Sequence, residues 1–275
     1  MKRLMLTGMA FAALIVSPAL AADLKPAPRP VYTKAPVMAP VFSWTGLYVG
    51  LNGGYSWGRA SDDFTIIGIP AGSSSPNMDG WVGGGQIGYN WQTGTFVLGL
   101  EADIQATGQK GTFDFATGTV CPPPGAAALP CATGAGSLEQ KLPWFGTFRG
   151  RLGFTPTPTW LLYVTGGLAY GEVDTNATFV NTVAFLGGPV VGATAVSASS
   201  NTTRTGWVIG AGAEWAIYGP WSAKFEYLYM DLGTVNSGFA VPAPFTLVNT
   251  SSRITDNIVR VGINYRFGGA MMGGY

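Results

Sequence analysis

Nine of the charged residues in this chain, which has 15 Lys and Arg and 14 Asp and Glu, follow a simple rule in their spacing. Each lies in a stretch where apolar residues alternate with small or polar ones, and each falls on the side that is not apolar. Carboxylates that face guanidinium or ammonium groups compensate one another for removal from water. We therefore expect an interior ion-pair network of Glu101, Asp103, Arg149, Arg151, Glu214, Lys224, Glu226, Arg260 and Arg266.

Neighbouring segments carry opposite charges at matching positions, which predicts the partners within this network. The expected contacts join Glu101 and Asp103 with Arg149 and Arg151, Glu214 with Lys224 across a turn at Gly219, and Glu226 with Arg260. The alternative is a set of solvated faces that share this parity by coincidence. Only 11% of the chain is charged, so the placement of nine charges on one side favours the network.

Catalytic and cofactor chemistry has little support in the sequence. Histidine, the commonest general base and metal ligand, is absent, so a Ser-His-Asp triad cannot form. Residues 83–88 match G-x-G-x-x-G, but a dinucleotide site needs that run between a strand and a helix, and no helical pattern follows here. The sequence predicts a protein that is not an enzyme and holds no cofactor or metal.

The two cysteines are close together in the sequence. Cys121 and Cys131 flank a proline-rich run in one predicted connection. In an exported protein such a pair favours a disulfide that closes a small loop. The alternative, a metal site, lacks further ligands.

Tryptophans mark the elements that would position these side chains. All nine lie at the ends of strand-like segments, where an indole ring suits the boundary between lipid and water. Strands of about ten residues with aromatic ends and internal alternation are typical of transmembrane β-barrels. A soluble all-β domain with a tryptophan-rich core is the alternative. The residues are Trp44, Trp57, Trp81, Trp91, Trp144, Trp160, Trp207, Trp215 and Trp221.

Connection length supports the barrel, because short turns alternate with long connections. Turns at 92–94, 155–159 and 218–220 are short, whereas the other four connections are each about twenty to thirty-five residues, as external loops of outer-membrane barrels are. The fold class is therefore all-β, an eight-stranded antiparallel transmembrane up-and-down β-barrel with both termini in the periplasm. The predicted strands are 44–57, 80–91, 95–106, 143–154, 160–171, 205–215, 221–231 and 254–267.

The chain divides into four parts. Residues 1–21 read as a signal peptide, with Lys2 and Arg3 before an apolar run and a small-x-small site at its end; a membrane helix is the alternative, but the run is short and Pro18 follows it. Residues 22–43 form a proline-rich periplasmic linker, 44–267 the outer-membrane barrel and 268–275 a C-terminal tail. The nearly balanced charge gives no reason to expect a nucleic-acid partner.

Four segments, 42–50, 163–171, 224–233 and 260–267, resemble the small outer-membrane immunogenic proteins of alphaproteobacteria, a group of porin-family β-barrels. The last segment also resembles the terminal signal read by barrel-assembly machinery, carried here by Arg260, Gly262, Tyr265 and Phe267. Such barrels often end at the aromatic residue, so either Phe267 or Tyr275 would serve as the terminal aromatic. The resemblance implies an eight-stranded barrel, surface exposure and envelope integrity.

Two functions remain open on the sequence alone. The first is a structural, surface-exposed protein whose lumen is filled by charged side chains and whose long connections face outward. The second is a small channel, although open aqueous pores belong to barrels of about sixteen strands. A soluble lipocalin-type barrel is a third option, which the charge parity disfavours. The expected partners are outer-membrane lipid and lipopolysaccharide, barrel-assembly machinery, and peptidoglycan or a host surface.

Overall fold

The chain closes into a ring of antiparallel strands. The computed structural model describes residues 42–66, 69–116, 119, 121, 131–185, 190–239 and 248–268. The strands are β1 (Gly46–Ile66), β2 (Ile69–Ser74), β3 (Asn77–Thr93), β4 (Phe96–Ala116), β5 (Cys131–Thr157), β6 (Trp160–Ala184), β7 (Val190–Tyr218), β8 (Trp221–Phe239) and β9 (Val248–Phe267). β1 and β3 to β9 pair in chain order and β9 closes on β1, while β2 adds to the outer part of β1. The predicted eight-stranded barrel is thus confirmed.

Several predictions fall on residues outside this description. The signal peptide, the linker up to residue 41 and the tail from residue 269 are among them. Within the described ranges, no helix has the length and apolar character needed to cross a bilayer.

An apolar band encircles the barrel, because alternate residues of every strand point outward. On β9 the outward side chains are apolar from Phe267 to Val259, and they become polar at Asn257 and Arg253. The membrane-spanning segments lie within this band. Two aromatic girdles border it, with Trp57, Trp81, Trp144 and Trp207 on the external side and Trp91, Trp160, Trp215 and Trp221 on the periplasmic side.

Trp44 does not belong to either girdle, so the prediction for this residue was wrong. β1 begins at Gly46 rather than at Trp44, and the Trp44 side chain is fully buried inside the barrel. Its Nε1 donates a hydrogen bond to the carbonyl of Pro158 at 3.1 Å. Aromatic type and position at a strand end do not distinguish a lipid-facing ring from one that turns inward.

The strands continue well past the external girdle, where the sequence suggested loops. β5, β6 and β7 contain 27, 25 and 29 residues, against the roughly ten that cross a bilayer. The extensions carry Thr and Val, which favour strands, together with Ser and Asn, and they lack the apolar outward face that defines a membrane strand. Their strand character therefore does not depend on lipid.

Outside the membrane the ring opens along two seams. β7 pairs with β8 only from Trp207 to Tyr218, and β3 and β4 pair only as far as Asp79 and Lys110. Beyond these points the described strands form two sheets. We call β4, β5, β6 and β7 the first wing, and β2, β1, β9 and β8 the second wing.

Candidate functional site in the barrel lumen

The centre of the lumen holds an extended network of ion pairs. The structure places all nine charged residues expected there inside the barrel, each at most 5% exposed. They project from β4, β5, β7, β8 and β9, because charged and apolar residues alternate along these strands. Five cations meet four carboxylates at this level, namely Arg149, Arg151, Lys224, Arg260 and Arg266 with Glu101, Asp103, Glu214 and Glu226.

Glu101 lies at the middle of the network and forms ion pairs with four cations, the most distant of which is Arg260 at 3.8 Å. Its carboxylate accepts from Arg151 at 2.7 Å and from Lys224 at 3.2 Å, and it also contacts Arg149, its register partner on β5. The Tyr48 hydroxyl donates to it at 2.7 Å. The sequence pairing of Glu101 with Arg149 and Arg151 matches this arrangement.

A second set of contacts connects the opposite wall of the barrel. Glu226 accepts from Arg260 at 2.6 Å and from Arg149 at 3.0 Å. Asp103 accepts from Arg149 at 2.7 Å and from Arg260 at 2.9 Å. Arg149 therefore reaches carboxylates on both sides of the lumen, which connects the two sets.

Glu214 and Lys224 differ from the expected pair. They are register partners on β7 and β8, yet the Lys224 ammonium turns to Glu101. Glu214 instead accepts from Arg151 at 3.1 Å and lies 3.8 Å from Arg266. Register partners have neighbouring backbones, but long side chains in a narrow lumen reach residues on other strands. The pairing predicted from strand register does not take this reach into account.

Inward glycines leave the space that these long groups occupy. A Cβ at Gly88 would lie 2.3 Å from the hydroxyl oxygen of Tyr48, and one at Gly212 would lie 2.5 Å from the ring of Tyr163. The Tyr163 ring in turn lies 4.0 Å from the guanidinium carbon of Arg151. Gly88 is the register partner of Tyr48 and Gly212 that of Tyr163, so glycine at these two points allows each phenol ring to pack against the backbone of the adjacent strand.

An aromatic plug fills the periplasmic end of the lumen. It consists of Phe42 and Trp44, which precede β1 and pack with Val97, Leu161, Tyr163 and Ala216. Arg266 lies over both plug rings, 4.8 Å from the centre of Phe42 and 4.5 Å from that of Trp44, and donates to the carbonyl of Ser43 at 2.9 Å. The plug was not predicted, because residues before a first strand carry no alternation.

An apolar layer fills the lumen on the external side of the ion network. Its buried side chains come from seven ring strands and include Met78, Val82, Leu142, Phe145, Val173, Val208, Leu228, Met230, Leu232, Ile254 and Ile258. Strand parity could have revealed part of it, since Leu228, Met230 and Ile258 share the inward face of Glu226 and Arg260. Attention to the charged residues alone missed these positions.

Asp256 is a further inward carboxylate that the sequence reasoning missed. It lies on the face of β9 that carries Arg260, just beyond the membrane-spanning segment, and is 2% exposed. The Gln109 amide donates to its Oδ2 at 2.5 Å, and Gln109 also contacts the Ser56 hydroxyl. Burial raises the pKa of Asp256 to about 7, and the hydrogen bond from Gln109 only partly offsets this.

The predicted disulfide and the outward residues of the predicted assembly signal lie outside the lumen network. Cys121 and Cys131 are joined by a disulfide. Tyr265 and Phe267 lie outward in the periplasmic girdle with their ring centres 5.0 Å apart, while Arg260 and Gly262 lie on the other face of β9. Their role as an assembly signal stays a prediction.

Comparison with known proteins agrees with this architecture. Residues 9–267 match a family model described as an outer membrane protein beta-barrel domain. The chain is 38% identical to the 31 kDa outer-membrane immunogenic protein of Brucella melitensis over 93% of this chain and 96% of that protein. It is 28% identical to a 22 kDa outer membrane protein of Rhizobium leguminosarum over 85% of this chain and 82% of that protein.

Among solved structures, the outer membrane protein OprG of Pseudomonas aeruginosa matches over 81% of this chain and 97% of its own, with 11% identity and a TM-score of 0.44. The family model spans nearly the whole chain, and the Brucella protein aligns over 96% of its own length. This protein therefore belongs to the outer-membrane β-barrel family that includes the outer-membrane immunogenic proteins.

Proposed function

We propose that the protein is a structural, surface-exposed component of the outer membrane whose lumen is closed to solutes and which is not an enzyme. It crosses the membrane as a filled cylinder and carries its two wings on the outside. The layering of the lumen supports this proposal most directly. The aromatic plug, the ion network and the apolar layer follow one another along the barrel axis, and each contains fully buried side chains.

Each layer opposes the passage of ions for a different physical reason. A hydrated ion would need to displace packed aromatic rings at the plug, because close-packed side chains leave few voids larger than a water molecule. In the middle layer it would need to separate Glu226 and Arg260, which lie 2.6 Å apart. In the apolar layer it would lose its hydration shell with no polar group to replace it.

The alternative is a small channel for ions or solutes. The charged middle layer taken alone would favour it, since polar side chains line the lumen of known pores. The apolar layer favours closure, because Leu228 and Ile258 are fully buried across the same cross-section. An eight-stranded ring of this width is filled by its own side chains.

Solute efflux from proteoliposomes tests the proposal. The refolded full chain would be incorporated into vesicles loaded with a small neutral sugar, and a general-diffusion porin at equal density would be the positive control. We expect efflux to match that of protein-free vesicles. Efflux at a rate near that of the porin would overturn the proposal and favour the channel.

A further inference from the structure

The outer part of β7 has a long edge that no described strand covers. Along residues 190–205 β7 pairs with β6 on one side, while its pairs with β8 begin only at Trp207. At about 3.3 Å per residue this edge is roughly 50 Å long. Since Trp207 lies in the external girdle, the free edge stands wholly outside the membrane.

Three other edges border the two seams, and each is short or interrupted. β2 has 6 residues, contains Pro70 and meets a register shift in β1. β8 beyond the seam follows a bulge between Asp231 and Thr234. The outer part of β4, residues 111–116, carries Asp114 and adjoins Lys110. Short length, proline, bulges and charges are the means by which proteins prevent edge pairing.

The β7 edge has none of these protections from Gly192 inward, and its one register shift lies at the outer end, between Val190 and Gly192. Residues 190–203 include no proline and no charged residue, and their register with β6 is regular from Val183 inward to the membrane. Val190 and Val191 are 61% and 54% exposed. The side chains along this run are mainly valine, alanine, serine and threonine, and the threonine and serine hydroxyls can hydrogen-bond to hydroxyl residues on an adjacent strand.

We propose that this edge binds an extended, uncharged segment of another polypeptide outside the cell, which adds to β7 as a further strand of the first wing. Only a polypeptide backbone offers alternating N–H and C=O groups at the spacing of a strand, so a sugar or a lipid does not fit. The edge carries no charge before Arg204 that would favour a charged segment. The inference rests on the surface-facing role proposed above and does not depend on closure of the lumen.

A second copy of the chain in the same membrane fits this edge less well. Both copies would run β7 in the same direction, and a two-fold axis along the membrane normal would place identical residues of the two edges side by side. Parallel pairing requires the two strands to be offset by one residue, so that donors meet acceptors. A closed dimer of the commonest symmetry is therefore excluded at this edge.

Peptide binding tests the proposal on the refolded full chain in vesicles. The probe is a short fluorescent peptide of alternating threonine and valine, and its twin is N-methylated at every second residue. We expect saturable binding of the first peptide and binding at least about tenfold weaker for the twin, because several backbone hydrogen bonds are lost. Equal binding of the two peptides, or no binding of the first, would overturn strand addition.

Proline variants locate the binding edge. Amide groups of adjacent residues point to opposite edges, so one of Ser199→Pro and Ser200→Pro removes an N–H from the free edge while leaving the pairing with β6 intact. We expect that variant to keep the wild-type urea midpoint and to lose peptide binding about tenfold or more. Unchanged binding in both variants would contradict the assignment to β7.

Light scattering on the same samples distinguishes a second copy as the occupant. Self-association that the peptide disperses would replace the proposed partner with another copy of the chain. Sugar efflux measured in parallel distinguishes failure of strand addition from failure of the proposed closure. If the vesicles retain their sugar but the peptide does not bind, only strand addition at β7 is refuted.

Discussion

At the scale of single residues, Glu101 holds the ion network together. It contacts Arg149, Arg151 and Lys224, and Glu101→Ala leaves these buried cations with fewer carboxylates. Breaking a buried pair costs roughly 3–5 kcal/mol, so we expect a clearly lower urea midpoint. The matched control is Asp114→Ala, which removes an exposed carboxylate from the outer part of β4. Equal midpoints for the two variants would contradict an interior network.

Asp256, beside Gln109 and outside the ion network, carries a charge that depends on pH. An unfolded aspartate has a pKa near 3.9, whereas burial raises the pKa of Asp256 to about 7. The folded state therefore keeps a proton that the unfolded state loses, and the contribution of Asp256 to stability falls as pH rises from about 4 to about 7.

Asp256→Asn keeps a hydrogen-bonding side chain beside Gln109 without the charge. We expect the urea midpoint of this variant to exceed that of wild type by an amount that grows with pH. The difference should be largest above pH 7 and should disappear near pH 4. Midpoints would be measured at matched pH values for both proteins. A constant difference across that range would show that the Asp256 charge does not change on unfolding.

At the scale of elements, the aromatic plug that precedes β1 fills the periplasmic end of the lumen. Trp44→Ala removes a fully buried indole, whose ring packs beneath the Arg266 guanidinium. Large-to-small changes of this kind cost about 3–5 kcal/mol, so the urea midpoint should fall. Trp91→Ala, on the lipid-facing girdle, is the control and should cost less. A larger loss for Trp91→Ala would argue that the plug packs loosely.

Alternation along the strands predicted more of the fold than of the site. It located the eight ring strands and placed Glu101, Arg149 and Arg260 inside, because a charge facing lipid is costly and the parity of a strand is strict. It did not predict that Trp44 lies inside the barrel or that Lys224 contacts Glu101, since both depend on how side chains share a narrow lumen. The sequence predicts loops where the wings lie, because strands in water need no apolar outer face.

At the scale of the whole molecule, three filled layers and two seams have different consequences. Closure depends on the lumen between the plug and the apolar layer, and surface binding depends on the wings outside it. A change at the β7 edge should therefore leave closure intact, and a change in the lumen should leave peptide binding intact as long as the barrel folds. The two properties can be measured on one preparation.

Recording current across a planar bilayer that contains the refolded single chain tests the central claim, closure of the lumen, most directly. Eight strands leave an interior only wide enough for side chains, and the layers described here occupy it. We predict no steady conductance, with at most brief, small fluctuations as ion pairs separate. Steady currents at the level of a general-diffusion porin would contradict the account.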